Sequence, residues 1–125
     1  KMAMMPDNTW KGGTAPTFLS TGPEDYGLMG DGRRVAEYQN EILTLPNKST
    51  GDKYLLLIEG GDHYFGGLIH REVDMTPDYD GLEIFNAASL AFMDAFTRDA
   101  EPAWAFLQPN ILSSASDGRF LLTVE

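Results

Sequence analysis

The segment Tyr54-Leu55-Leu56-Leu57-Ile58 has no polar side. Successive side chains of a strand point to opposite faces, so a strand of this composition must be covered from both sides. The run is too short for a buried helix and is bounded by turn-forming residues, Asn47 to Asp52 before it and Gly60-Gly61-Asp62-His63-Tyr64-Phe65-Gly66-Gly67 after it. It therefore reads as a central or nearly central strand with helices on each face of a sheet. The rest of the chain has to supply its neighbours.

A first neighbour is Ala15-Pro16-Thr17-Phe18-Leu19-Ser20-Thr21, which opens on proline, runs through β-favouring residues and ends at the turn Gly22-Pro23. Between the two strands, Val35, Tyr38, Ile42 and Leu45 recur at helical spacing, with Asp31 as an N-cap and Pro46 as a stop. A second helix is expected to start at Thr76-Pro77 and to reach about Arg98, with Tyr79, Leu82, Phe85, Ser89, Phe92 and Phe96 on one face and Gly81 weakening its first turns. A short helix from Pro102 to Leu107 and an extended segment from Phe120 to Val124 complete the reading. The order strand, loop, helix, strand, loop, helix is that of an α/β fold with two parallel strands and a right-handed crossover. The 125 residues fit one domain: a loop over 1–14, a core over 15–107 and a C-terminal tail over 108–125.

Charge and composition exclude several functions. Nine Lys and Arg against nineteen Asp and Glu give a formal charge of -10, which repels phosphate backbones and anionic lipid, so neither nucleic acid nor a membrane surface is an expected partner. There is no cysteine, which removes disulfides, zinc-thiolate sites and a cysteine nucleophile. No apolar run is long enough for a transmembrane helix. The first residue is Lys1, and the sequence after it has neither signal-peptide nor transit-peptide character, so the N-terminus reads as a cut. Neither compartment nor oligomeric state is legible.

In parallel sheets, ligands and catalysis sit in the loops beyond the carboxyl ends of the strands. Both glycine-rich loops occupy that position. Asp25 lies three residues after Gly22 and His63 three after Gly60. A carboxylate and an imidazole on neighbouring strand ends can meet, the carboxylate fixing the His tautomer and stabilising the imidazolium formed in proton transfer. Asp62, beside His63, reads as a cap of its own loop. Tyr26 and Tyr64 flank the pair as candidate substrate-lining residues.

From Ala15 to Leu107 the chain resembles the C-terminal part of the α/β-hydrolase family, particularly its dienelactone-hydrolase-like and small esterase branches. The stretch Pro16 to Asp25 is similar to the family's P-x-L-x-x-x-G-x-x-D acid loop, Tyr54 to His63 is similar to its last strand and G-x-x-H loop, and the closing helix follows in order. The resemblance implies that the chain holds the last two parallel strands and flanking helices of an incomplete α/β-hydrolase sheet. It implies Asp25 as triad acid, with Glu24 as competitor, and His63 as general base. It also implies a small-molecule ester substrate and no cofactor or metal. No Gly-x-Ser-x-Gly elbow occurs. Ser20, Ser49, Ser89, Ser113, Ser114 and Ser116 are not on a strand-to-helix elbow, so none is assigned to catalysis, and the nucleophile is expected upstream of Lys1. The chain alone is expected to be inactive.

The alternative reading is a non-catalytic cation- or carbohydrate-binding module using the acidic, Tyr-containing loop over 70–80. His70, Glu72, Asp74, Asp78 and Asp80 offer ligands to a hard cation such as Ca²⁺, although without EF-hand spacing they read first as a solvated acidic loop.

Overall fold

The computed structural model describes residues 14–23, 52–62, 64–66, 68 and 76–124. They form an α/β arrangement in which a small mixed sheet is packed against helices. Strand β1 (Thr17–Thr21) pairs in parallel with β2 (Lys53–Ile58), with Thr17 opposite Lys53 and Thr21 opposite Leu57. On the other edge of β2 lies β3 (Phe120–Val124), antiparallel, with Tyr54 opposite Val124 and Ile58 opposite Phe120. The order β1-β2-β3 makes the apolar run the central strand, as its composition requires. A parallel pair cannot be joined by a tight turn and needs a crossover. The helix expected over 31–45 falls in that connection and lies outside the described residues.

The covering of β2 follows from side-chain alternation. Tyr54, Leu56 and Ile58 share a face with their cross-strand partners Phe18, Phe120 and Leu122, and all of these but Phe18 are buried, Leu56 and Phe120 at 0% exposure. Leu55, on the opposite face, is also buried. The Tyr54 face is therefore removed from water, which stabilises by about 1.5–3 kcal/mol for each large apolar side chain so covered. On the opposite face, Leu57 is only half-buried and its partner Leu121 is exposed, so among the described residues that face is not covered by a helix as the sequence led one to expect.

Helix α1 (Tyr79–Arg98) lies across the Tyr54 face. The Phe92 ring is 5.3 Å from Phe18 and 5.5 Å from Tyr54, and Phe96 is 5.8 Å from Tyr54, spacings at which tilted and edge-on rings attract. The buried line of the helix is nevertheless Ala88, Ala91 and Ala95, with the phenylalanines beside it only partly covered and Tyr79 68% exposed. Small residues let the helix approach the sheet, while the rings spread sideways to fill the wedge. Tyr79, expected on the packed face, projects from the first turn into solvent. The helix ends at Arg98, where Asp99 takes left-handed torsions (φ 52°) and its N–H closes on the Ala95 carbonyl at 3.1 Å.

Its start differs from expectation. The N-cap is Asp78 rather than Thr76, and the Asp78 side chain accepts from the Gly81 N–H at 3.0 Å. Gly81 is a requirement of this cap: a Cβ there would sit 2.3 Å from the Asp78 carboxylate. Two short helices follow, α2 (Glu101–Phe106) and α3 (Pro109–Ala115), with Trp104 of α2 edge-on to Phe96 at 4.8 Å. The segment expected as a tail contributes Leu112 and Phe120, both fully buried. Ser116 turns the chain from α3 into β3: its hydroxyl donates to the Leu112 carbonyl at 2.9 Å and accepts from the Phe120 N–H at 2.9 Å.

An alanine in place of a helical glycine ordinarily stabilises by roughly 0.5–1 kcal/mol, but Gly81 is buried against the cap. Gly81→Ala is expected to do the reverse here and to destabilise by about 1–2 kcal/mol, the worth of a displaced cap. Urea denaturation checks this, and a midpoint at or above that of the unsubstituted protein would show that the carboxylate moves aside without loss.

Candidate functional site

Because β1 and β2 are parallel, their carboxyl ends lie side by side, and because β3 is antiparallel its amino end arrives at the same edge. The backbones beyond β1 and β2 touch: a Cβ on Gly22 would stand 2.0 Å from the Gly61 carbonyl oxygen. Only glycine permits that approach. It brings the starts of the two glycine-rich loops together.

The loop after β2 is built from local hydrogen bonds. Gly60 adopts φ 70° and the Gly61 N–H returns to the Ile58 carbonyl at 2.9 Å. The Asp62 carboxylate accepts from the Tyr64 N–H at 2.7 Å and from the Gly66 N–H at 3.0 Å. That is the cap reading of Asp62, an acceptor placed two and four residues before the donors it satisfies. Phe65 then takes φ 51°, uncommon for a bulky residue, and is held there by burial, its ring 5.4 Å from Phe85. Gly66 follows at φ 65°, with the Thr76 carbonyl oxygen 1.7 Å from where a Cβ would lie.

Two further groups meet this loop. The Phe65 carbonyl accepts from the Asp78 N–H at 3.0 Å. The Asp78 carboxylate in turn receives both terminal nitrogens of Arg119, one at 2.8 Å, in a two-oxygen fork. Arg119 Nε donates to the Glu59 carbonyl at 3.0 Å, and the Glu59 N–H donates to the Arg119 carbonyl at 2.9 Å, extending the β2–β3 ladder by one pair. The guanidinium, aided by the Gly81 N–H, holds the Asp78 carboxyl below the usual carboxylate range against the opposing effect of burial. The Arg119 pKa is raised by the same bond.

Of the residues singled out from the sequence, Tyr64 is described: it is half-buried, directly after Asp62. Asp25, Glu24, Tyr26 and His63 lie outside the described residues, as do His70, Glu72 and Asp74. Asp78, one of the five candidate cation ligands, is committed to Arg119 and to the helix cap. Among the described residues no group of three or more His, Asp and Glu side chains could hold a metal ion. Sequence reasoning did not find Arg119, and the signal for it was slight. An arginine after the turn Asp117-Gly118 has no local partner, and the carboxylate it binds is 41 positions away.

Three of the described serines are placed away from a nucleophile's position. Ser116 is engaged at both its donor and its acceptor sites, and Ser89 Oγ is buried on α1 without a hydrogen-bond partner. Ser20 pairs in register with Leu56 on the helix-covered side of the sheet. Also among the described residues, no helix is long and apolar enough to cross a membrane. No family model, curated protein or solved structure matches the chain.

Two outcomes are expected. Gly22→Ala should force the β1 and β2 loops apart, and with backbone on the opposing side the cost is expected at about 1–3 kcal/mol, as for other overpacked positions; an unchanged denaturation midpoint would contradict the close approach. Asp78 has a folded pKa below its unfolded value, so its contribution to stability is present above the unfolded value and is lost as pH falls through the folded one. Denaturation midpoints of the parent should therefore fall on acidification below about pH 4, the ordinary range of Asp, more steeply than those of Asp78→Asn. Parallel curves would show that the fork does not contribute.

Proposed function

We propose that the chain supplies the acid and the histidine of a serine hydrolase acting on carboxylic esters through an acyl-enzyme, with the nucleophilic serine in sequence preceding Lys1. The observation that carries this reading is the contact of Gly22 with Gly61 at the carboxyl ends of two parallel strands. Asp25 follows Gly22 by three residues and His63 follows Gly61 by two, and at about 3.8 Å between successive Cα atoms the covalent tethers are about 11 and 8 Å long. Starting from touching backbones, tethers of that length allow a carboxylate and an imidazole to meet. The resemblance of Pro16 to Asp25 and of Tyr54 to His63 to the acid and histidine loops of α/β-hydrolases points the same way.

In this mechanism the serine attacks the ester carbonyl while His63 takes its proton, and the tetrahedral intermediate expels the alcohol, to which His63 returns the proton. Water then attacks the acyl-enzyme with His63 again as base, releasing the acid and restoring the serine. Asp25 orients His63 and stabilises its imidazolium form. Tyr26 and Tyr64 are the proposed substrate-lining residues. The hydrolase is preferred to a cation- or carbohydrate-binding module over 70–80, because Asp78, within that segment, is already occupied by Arg119.

Turnover of p-nitrophenyl esters by the full-length protein tests the reading. His63→Ala is expected to lose nearly all activity and Asp25→Asn on the order of 10⁴ in kcat, as when a triad carboxylate can no longer set the tautomer. Retained turnover in either variant would end the triad assignment. A matching loss in Glu24→Gln alone would transfer the acid role to Glu24.

A further inference from the structure

We propose that Arg119 and Asp78 are positioning residues that hold the histidine-bearing loop in its working geometry, an inference that rests on the hydrolase reading above. The bonds around the loop form a closed ring. The chain runs from Glu59 to Phe65; the Phe65 carbonyl is bound by the Asp78 N–H; the Asp78 carboxylate is bound by the Arg119 fork; and Arg119 returns to Glu59 through Nε and through its own carbonyl. In sequence, His63 falls between Glu59 and Phe65, the two ends joined by the ring. Its two sequence neighbours are further joined by the Asp62–Tyr64 bond of 2.7 Å.

Fold maintenance alone does not require this arrangement. The β2–β3 ladder is already complete without the guanidinium, since the Glu59–Arg119 backbone bond and the strand pairing do not use the side chain. Likewise the α1 cap needs only one carboxylate oxygen toward Gly81. What the fork adds is a fixed distance between the two ends of the loop. The loop contains a bulky residue at positive φ, Phe65, a conformation that persists only where its surroundings impose it. A general base must be held within a fraction of an ångström of its productive position, and misplacement by about 1 Å costs up to about 100-fold in rate. Arginine is required rather than a generic cation, because one lysine ammonium cannot span both carboxylate oxygens and the Glu59 carbonyl in the same planar arrangement.

The test uses Arg119→Lys and Asp78→Asn in the full-length protein. The first keeps the charge and loses the fork; the second keeps an acceptor for the Gly81 cap, so that at least one variant folds. Each is expected to lower kcat for a p-nitrophenyl ester by about 10- to 100-fold while KM stays within about twofold. The double variant should lose little more than either single one, as expected of two groups acting as a unit. Hydrogen exchange at the Tyr64 and Gly66 amides should accelerate in both variants while the Leu56 amide keeps its protection. Unchanged kcat, or unchanged exchange at Tyr64 and Gly66, would overturn the positioning role while leaving the triad standing. Full turnover in His63→Ala would overturn the hydrolase reading and the positioning role with it.

Discussion

Strand β2 has to satisfy hydrogen bonds on two edges and bury side chains on two faces, and the rest of the described structure answers both edges and one of the faces. β1 meets one edge in parallel and β3 the other in antiparallel sense, while the Phe-rich side of α1 covers the Tyr54, Leu56 and Ile58 face. The mixed direction of the sheet has a chemical consequence. A strand parallel to β2 on that second edge would carry residue 119 to the far end of the sheet. The antiparallel one carries it to the carboxyl ends of β1 and β2, where the helix cap Asp78 also lies, and so the fork between them forms against the β2 loop.

What the sequence made legible was set by short-range rules or by strong patterns. The apolar run at 54–58 read as a central strand and the proline-led segment before Gly22 as a neighbouring strand, and both hold. The end of α1 at Arg98 was likewise readable from the stripe Phe85, Phe92 and Phe96. The cap at Asp62 was legible because its donors are two and four residues away. The direction of β3 was not, since Phe-Leu-Leu-Thr-Val pairs equally well either way and only its connection through three helices decides. Helix α3 was hidden by its serines, with Pro109 at its first turn as the one signal. The proposed acid and histidine, Asp25 and His63, were picked out by sequence position and lie outside the described residues, of which Gly22 and Gly61 are the nearest points in close contact.

The displaced start of α1 shows how a local rule loses to a distant partner. Thr76-Pro77 has the composition of a cap followed by a first turn, and Asp78 two residues later is a capping residue of similar strength. Arg119 separates them. With the Asp78 carboxylate held in the fork, its Oδ1 accepts from the Gly81 N–H as well as from Arg119, and the helix begins there. Gly81 then changes meaning: a residue that lowers helix propensity by about 1 kcal/mol becomes the one that fits under the carboxylate. Gly66 is similar, since the Thr76 backbone occupies the space of its missing Cβ and thereby fixes the loop against the entry to α1.

The hydroxyl inventory bears on how catalysis would be divided along the polypeptide. A serine nucleophile must present a free oxygen at the carboxyl edge of the sheet, within reach of a base. Ser116 spends its hydroxyl on joining α3 to β3, Ser20 lies in the strand register opposite Leu56, and the Ser89 Oγ is buried on α1 without a protein hydrogen-bond partner. Of the three, Ser116 ties two elements together, and Ser20 and Ser89 lie on packed surfaces rather than at the carboxyl edge. The one carboxylate of the 70–80 segment known to sit at this edge, Asp78, is engaged by Arg119 and the helix cap. With Asp62, Asp78 and Arg119 engaged in fixing the loop after β2, the role these groups fit is that of a scaffold, and under the hydrolase proposal the electrophile, the nucleophile and the oxyanion donors must be brought to that edge by other segments.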